Sequence, residues 1–159
     1  MTVASSRRCD RARLSPGALK GGGDVLSKRE RHMRHATGSP SFALVVEDDP
    51  EVRSLAAAML EETELQVVEV ESAEEALAFL ERNGAAVALI FADVWLSGPV
   101  DGVELARIVK RRWPSVRVLV TSGDAGERLH DLPRDASFIQ KPWRALDILV
   151  AAEKAVAHA

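Results

Sequence analysis

The chain has 159 residues, 47% of them hydrophobic and 28% charged, with a net charge of −3. That length accommodates one compact domain and little else, and no apolar run approaches the roughly 20 residues of a membrane span. The charge is unevenly laid: residues 1–40 carry nine Lys or Arg against three acids, a net of +6, whereas the remainder carries 12 against 21, a net of −9.

Residues 1–40 show neither helical nor alternating periodicity and contain three successive glycines, Gly21 to Gly23. Such a stretch buries too little apolar area to offset the entropy of ordering it, so a disordered basic extension is expected, followed by a domain over 41–159. Three accounts of the extension stand side by side: an artefact upstream of a true start at Met33, a featureless linker, and a basic arm for nucleic acid or anionic surfaces. Cys9 is the single cysteine, so no disulfide forms within the chain. The N-terminus also lacks the apolar core of a secretory signal. Both point to the reducing cytoplasm.

From Phe42 the pattern changes. "FALVV" is a short apolar run of strand type. Pro50 and "EVRSLAAAMLEET" follow, with Val52, Leu55, Ala56, Met59 and Leu60 at helical spacing. Proline in the first turn after a carboxylate fits a helix start, and Asp49 reads as its cap. "LQVVEV" is a strand. "SAEEALAFLERNG" is a helix with Ser72 as N-cap, Glu75 three residues on, and Asn83-Gly84 as its stop. "VALIFADV" is a strand and "DGVELARIVKRRW" a helix opened by Asp101-Gly102. "VRVLVTS" is a strand, and after a polar stretch "ASFIQ" is another, leading into a final helix over "PWRALDILVAAEKAVA".

Strands alternate with helices, and several strands are apolar throughout, so both sheet faces must be covered. The expected fold class is α/β: a doubly wound, five-stranded parallel sheet with helices on both faces. In such folds ligands bind beyond the carboxyl ends of the strands. Those ends carry Glu47 and Asp48, then Asp93, then Thr121 and Ser122, then Lys141 followed by Pro142. Two like charges about 4 Å apart repel by roughly 4 kcal/mol at an effective dielectric near 20. Three clustered carboxylates therefore call for a positive answer, which Lys141 and a divalent ion would supply. Carboxylates, a hydroxyl and an ammonium at one edge suit a hard cation such as Mg²⁺ together with a phosphoryl group.

Taken as a set and in order over residues 42–157, "VVEDDPEVR", "LIFADVWLSGPVDGVELARIVK", "VLVTSG" and "FIQKPW" resemble the receiver domain of bacterial response regulators. The resemblance implies a flavodoxin-like sheet of order 2-1-3-4-5 and phosphotransfer from a sensor histidine kinase or histidine phosphotransfer protein. It implies that Asp93 is the phosphoacceptor, that Asp48, Asp93 and the backbone carbonyl of Trp95 ligate Mg²⁺, and that Glu47 acts through metal-bound water. Lys141 would pair with Asp93 and then with a phosphoryl oxygen, and Thr121 would donate its hydroxyl to that group. Phe138 stands where the family has its rotating aromatic, although a phenylalanine in "ASFIQ" also serves as core filler.

The chain departs from the family pattern in three places. Ser97 replaces the usual proline four residues after the acceptor, which suggests a less rigid loop. Trp95 is bulky for a position beside the water that attacks an acyl phosphate. Residues 123–136, where the fourth helix belongs, contain Gly123, Gly126 and Pro133, so that helix should be short or irregular. No helix-turn-helix follows the last helix, so the expectation is a stand-alone receiver of the chemotaxis type. It would relay phosphate or bind a downstream protein, with a homodimer compatible and nucleic acid or membrane partners not expected. The competing readings are an unphosphorylated docking receiver and a Mg²⁺-dependent aspartyl phosphatase. The latter would want a carboxylate where Trp95 stands.

Overall fold

A computed structural model describes residues 41–124 and 126–156; the expected disordered extension lies outside the described residues. In chain order the elements are β1 (Phe42–Val46), α1 (Pro50–Leu60), β2 (Gln66–Val70), α2 (Ala73–Asn83), β3 (Val87–Asp93), α3 (Gly102–Arg112), β4 (Arg117–Ser122), β5 (Ser137–Gln140) and α4 (Ala145–Val156). Short 3₁₀ turns occupy Gly84–Ala86 and Gly126–Asp131. The sheet runs β2-β1-β3-β4-β5 with every neighbouring pair parallel. Among the described residues no helix is long and apolar enough to cross a membrane.

Strand alternation divides the core in two. Leu44, Val46, Ile90, Ala92, Val118 and Val120 face α2 and α3. Ala43, Val45, Leu89, Phe91 and Leu119 face α1 and α4, where they meet Ala56, Ala57, Leu60, Ile148 and Ala152. All seven residues of β3 are buried, as a central strand covered on both sides requires. Truncating a fully buried side chain such as Phe91 to alanine would cost about 3 to 5 kcal/mol.

Local chemistry sets the helix starts. Asp49 caps α1 by accepting from the N–H groups of Glu51 and Val52 at 2.9 and 3.1 Å, with Pro50 in the first turn. Ser72 accepts from Glu75 N at 3.3 Å, and the Glu75 carboxylate reaches back to Glu71 N at 3.0 Å. Asp101 caps α3 through Glu104 N at 2.8 Å. Gly102 has a second role there, because a Cβ at this position would lie 1.9 Å from the carbonyl oxygen of Asp93. The glycine thus lets the start of α3 rest directly on the end of β3, where Gly102 N donates to Val94 O at 3.0 Å.

Some sequence expectations need adjusting. Leu55, placed on the buried face of the first helix by its spacing, is 53% exposed; Ala56, Ala57 and Leu60 do the burying. The second helix does end at Asn83 with Gly84 as its C-cap, although Gly84 keeps ordinary right-handed backbone angles. Its missing side chain leaves room for the Trp113 indole, whose Nε1 would lie 2.3 Å from a Cβ there. The final helix begins at Ala145, three residues after Pro142. The segment after β4 forms only the six-residue 3₁₀ turn, with none of its residues buried, as its glycines and Pro133 implied. Ion pairs from Arg128 to Asp101, and from Arg107 to Asp131 at 3.1 Å, fasten it to α3.

Candidate functional site

Side chains alternate faces along a strand, so the carboxyl edge of the sheet can be read from the core. Glu47 continues the face of Ala43 and Val45, Asp93 that of Leu89 and Phe91, Thr121 that of Leu119, and Lys141 that of Ile139. All four therefore extend the α1 and α4 side at the same edge. Asp93 and Thr121 are direct register partners on β3 and β4. Ser122 points to the opposite face. Its hydroxyl is buried and has no hydrogen-bond partner among the described residues, so it does not join Thr121 at the site. Phe138 also lies on that other face, half-buried against the α2 and α3 side of the core.

The Lys141 ammonium joins the two strand-end carboxylates, 2.6 Å from Asp93 Oδ2 and 2.7 Å from Glu47 Oε2. Glu47 is 2% exposed and Asp93 8%. Burial pushes the Glu47 carboxyl above its ordinary range; the Lys141 hydrogen bond opposes that shift, and the charge of Asp93 adds to it. For Lys141, burial pulls the ammonium down, but its hydrogen bonds to Asp93 and Glu47 outweigh that and hold it above the ordinary lysine value. Asp93 Oδ1 accepts from Trp95 N at 3.2 Å, which turns the first residues after β3 back over the carboxylate.

Asp48 is exposed at the mouth of the site, and its Oδ2 accepts from the Ser97 hydroxyl. That bond is the leading reason its carboxyl lies below the ordinary aspartate range. The loop expected to be looser for lack of proline is thus tied to the end of β1. A second tether joins it to the loop after β4, where the Trp95 indole N–H donates to Asp124 O at 2.7 Å. The Trp95 ring itself is 54% exposed.

Three carboxylates stand at this edge, two of them on the Lys141 ammonium and the third on Ser97, and the atoms on offer to a cation are all oxygens. That composition fits a hard divalent cation of the Mg²⁺ kind, which is commonly held by one or two carboxylates with water completing the shell. Among the described residues no group of three or more His, Cys, Asp or Glu side chains closes into a ready cage. Glu47 and Asp93 are each turned to Lys141 through one oxygen, while Asp48 stands exposed at the mouth.

Three contributors escaped the sequence reading. The indole N–H of Trp143 donates to Thr121 Oγ1. Arg53 donates to the carbonyl of Glu47 at 2.7 Å and pairs with Glu71 at 3.3 Å, holding the end of β1 in place. Ser97 anchors Asp48. Arg53 did leave a signal: it is one of only two basic residues among twelve acids in residues 41–83.

Residues 43–153 match the family described as Response regulator receiver domain. The chain belongs to that family. It is 36% identical over 117 residues to the nitrogen assimilation regulatory protein NtrX of Azorhizobium caulinodans, a match covering 71% of this chain and 25% of that protein. Over 123 residues it is 30% identical to the sensor kinase CckA of Brucella abortus, covering 74% of this chain and 13% of the kinase. The receiver domain of NtrX from Brucella abortus superposes with a TM-score of 0.62 at 30% identity, over 74% of this chain and 99% of that domain. This receiver therefore spans a quarter or less of the curated NtrX and CckA proteins that it matches.

Proposed function

We propose that this receiver accepts a phosphoryl group on Asp93 from a phosphohistidine of a sensor histidine kinase or histidine phosphotransfer protein in the cytoplasm, and passes the signal on by phosphotransfer or by binding a partner protein. The observation that carries this reading is the buried Asp93 carboxylate held by Lys141 at 2.6 Å, at the carboxyl edge of the sheet. A carboxylate oxygen of Asp93 would attack phosphorus as the P–N bond of the phosphohistidine breaks, and the departing imidazole leaves with the bonding pair. Lys141 would follow the charge from the carboxylate to a phosphoryl oxygen. The buried hydroxyl of Thr121, in register with Asp93, would donate to another.

Asp48, Asp93 and the carbonyl of Trp95 are the residues that would hold Mg²⁺, with Glu47 reaching it through water. The ion would supply neutralisation of the charge on the transferring group, which is where most catalysis of phosphoryl transfer lies. Phe138 lies on the far face and half-buried, so its part in signalling would run through the movement of β5. The test is labelling by a small acyl phosphodonor with and without Mg²⁺. Wild type should label only with the metal and Asp93→Asn should not label; labelling that survives in the variant would refute the assignment.

A further inference from the structure

Thr121 is fully buried, and its oxygen is engaged by a residue outside the set already assigned. An indole nitrogen can only donate, whereas a hydroxyl has one proton and two lone pairs. In the bond between Trp143 Nε1 and Thr121 Oγ1 the threonine oxygen must therefore accept, and its proton is left for a different acceptor. Thr121 is the register partner of Asp93 on the same sheet face. The Asp93 side chain, and any group that it carries, stands on that same side of the sheet.

The indole is itself held on two further sides. Its ring meets Phe91 edge to face, with centroids 5.1 Å apart and planes at 77°. The Lys141 ammonium stands 5.5 Å from its centroid. Trp143 thus touches both Thr121 and Lys141 while reaching no reacting atom. We infer that Trp143 is a positioning residue, which fixes Thr121 as a hydrogen-bond donor toward the phosphoryl group on Asp93. The inference rests on the phosphoacceptor reading above.

The experiment uses the full chain with Mg²⁺ and beryllofluoride, a stable mimic of the acyl phosphate, and follows the tryptophan indole N–H signals by NMR. Trp143→Phe keeps an aromatic ring against Phe91 and removes the N–H donor; the signal it deletes identifies Trp143. Thr121→Val should shift that signal and leave the Trp113 signal in place. Trp143→Phe should need about three- to tenfold more beryllofluoride for half-saturation, the range of one neutral hydrogen bond. The double variant should titrate no worse than Thr121→Val alone, because both changes remove the same donation. An unmoved indole signal in Thr121→Val, a wild-type titration curve for Trp143→Phe, or additive losses would overturn the inference alone. Failure of wild type to take up beryllofluoride would overturn the phosphoacceptor reading and this inference with it.

Discussion

The ammonium of Lys141 and the carboxylate of Asp93 stand 2.6 Å apart across 48 positions of sequence, because β3 and β5 end at the same edge of one parallel sheet. The same ammonium is the partner of Glu47, whose side chain is only 3% exposed. Replacing Lys141 with methionine leaves a carboxylate buried without its cation, and breaking such a pair is more harmful than never having it. Lys141→Met should therefore destabilise the domain by about 2 to 3 kcal/mol in urea unfolding. Adding Glu47→Gln should restore part of that loss. A double variant no more stable than the single one would show that Glu47 does not depend on Lys141.

The contact between the start of α3 and Asp93 gives a second expectation. At Gly102 a methyl group would meet the carbonyl oxygen of Asp93 at 1.9 Å, a backbone atom that cannot swing aside. Gly102→Ala should lower stability by about 2 kcal/mol or more despite the better helix propensity of alanine. Thermal unfolding measures it, and a stabilised variant would mean that α3 stands off from β3.

Trp95 bridges the ends of β3 and β4 through Asp124, beyond the paired Asp93 and Thr121. On the phosphoacceptor reading, the indole two residues after Asp93 would obstruct water approaching the acyl phosphate. Trp95→Ala should lose its phosphoryl label several-fold faster than wild type in a chase experiment. Equal decay would show that the ring does not shield that bond.

Lys110 binds three oxygens at once: the carbonyls of Pro114 and Val116, both at 3.1 Å, and Asp135 Oδ2 at 3.0 Å. The ammonium closes the turn between α3 and β4, and Lys110→Met should cost about 2 kcal/mol through the two carbonyls. The hydrogen bond from Lys110 holds the Asp135 carboxyl below the ordinary aspartate range. A depressed carboxyl stabilises the fold above its unfolded pKa, and that contribution is lost as pH falls through the folded value. Wild type should thus outlast Asp135→Asn in urea at neutral pH by under about 1 kcal/mol, as befits a pair whose carboxylate is exposed. The margin should begin to shrink near pH 4, about the unfolded aspartate value, and be gone only below the depressed folded value. A margin that persists in acid would assign the effect to something other than this charge.

The architecture was legible because its signals are local: uninterrupted apolar strands, capped helices and charged strand ends. The edge that gathers Glu47, Asp48, Asp93, Thr121 and Lys141 followed from the rule for parallel sheets. Tertiary packing decided what the sequence reading missed. Trp143 was assigned to a helix, where its side chain would follow a helical period. In fact α4 begins two residues later, and Trp143 lies in the irregular link between β5 and α4, from which its indole reaches Thr121. Asn83-Gly84 does stop the helix, as local grounds implied, but Gly84 also answers to the indole of Trp113, 29 positions away. Ser97 was recognised as a missing proline, but its bond to Asp48 depends on two loops meeting in space.

The identity of the acceptor is the claim on which the rest depends, and reductive trapping reads it directly. Borohydride converts an aspartyl phosphate to homoserine, so wild type labelled by a phosphodonor with Mg²⁺, then reduced and digested, should carry homoserine at position 93. Homoserine at position 48 or 49 in place of 93 would contradict the account.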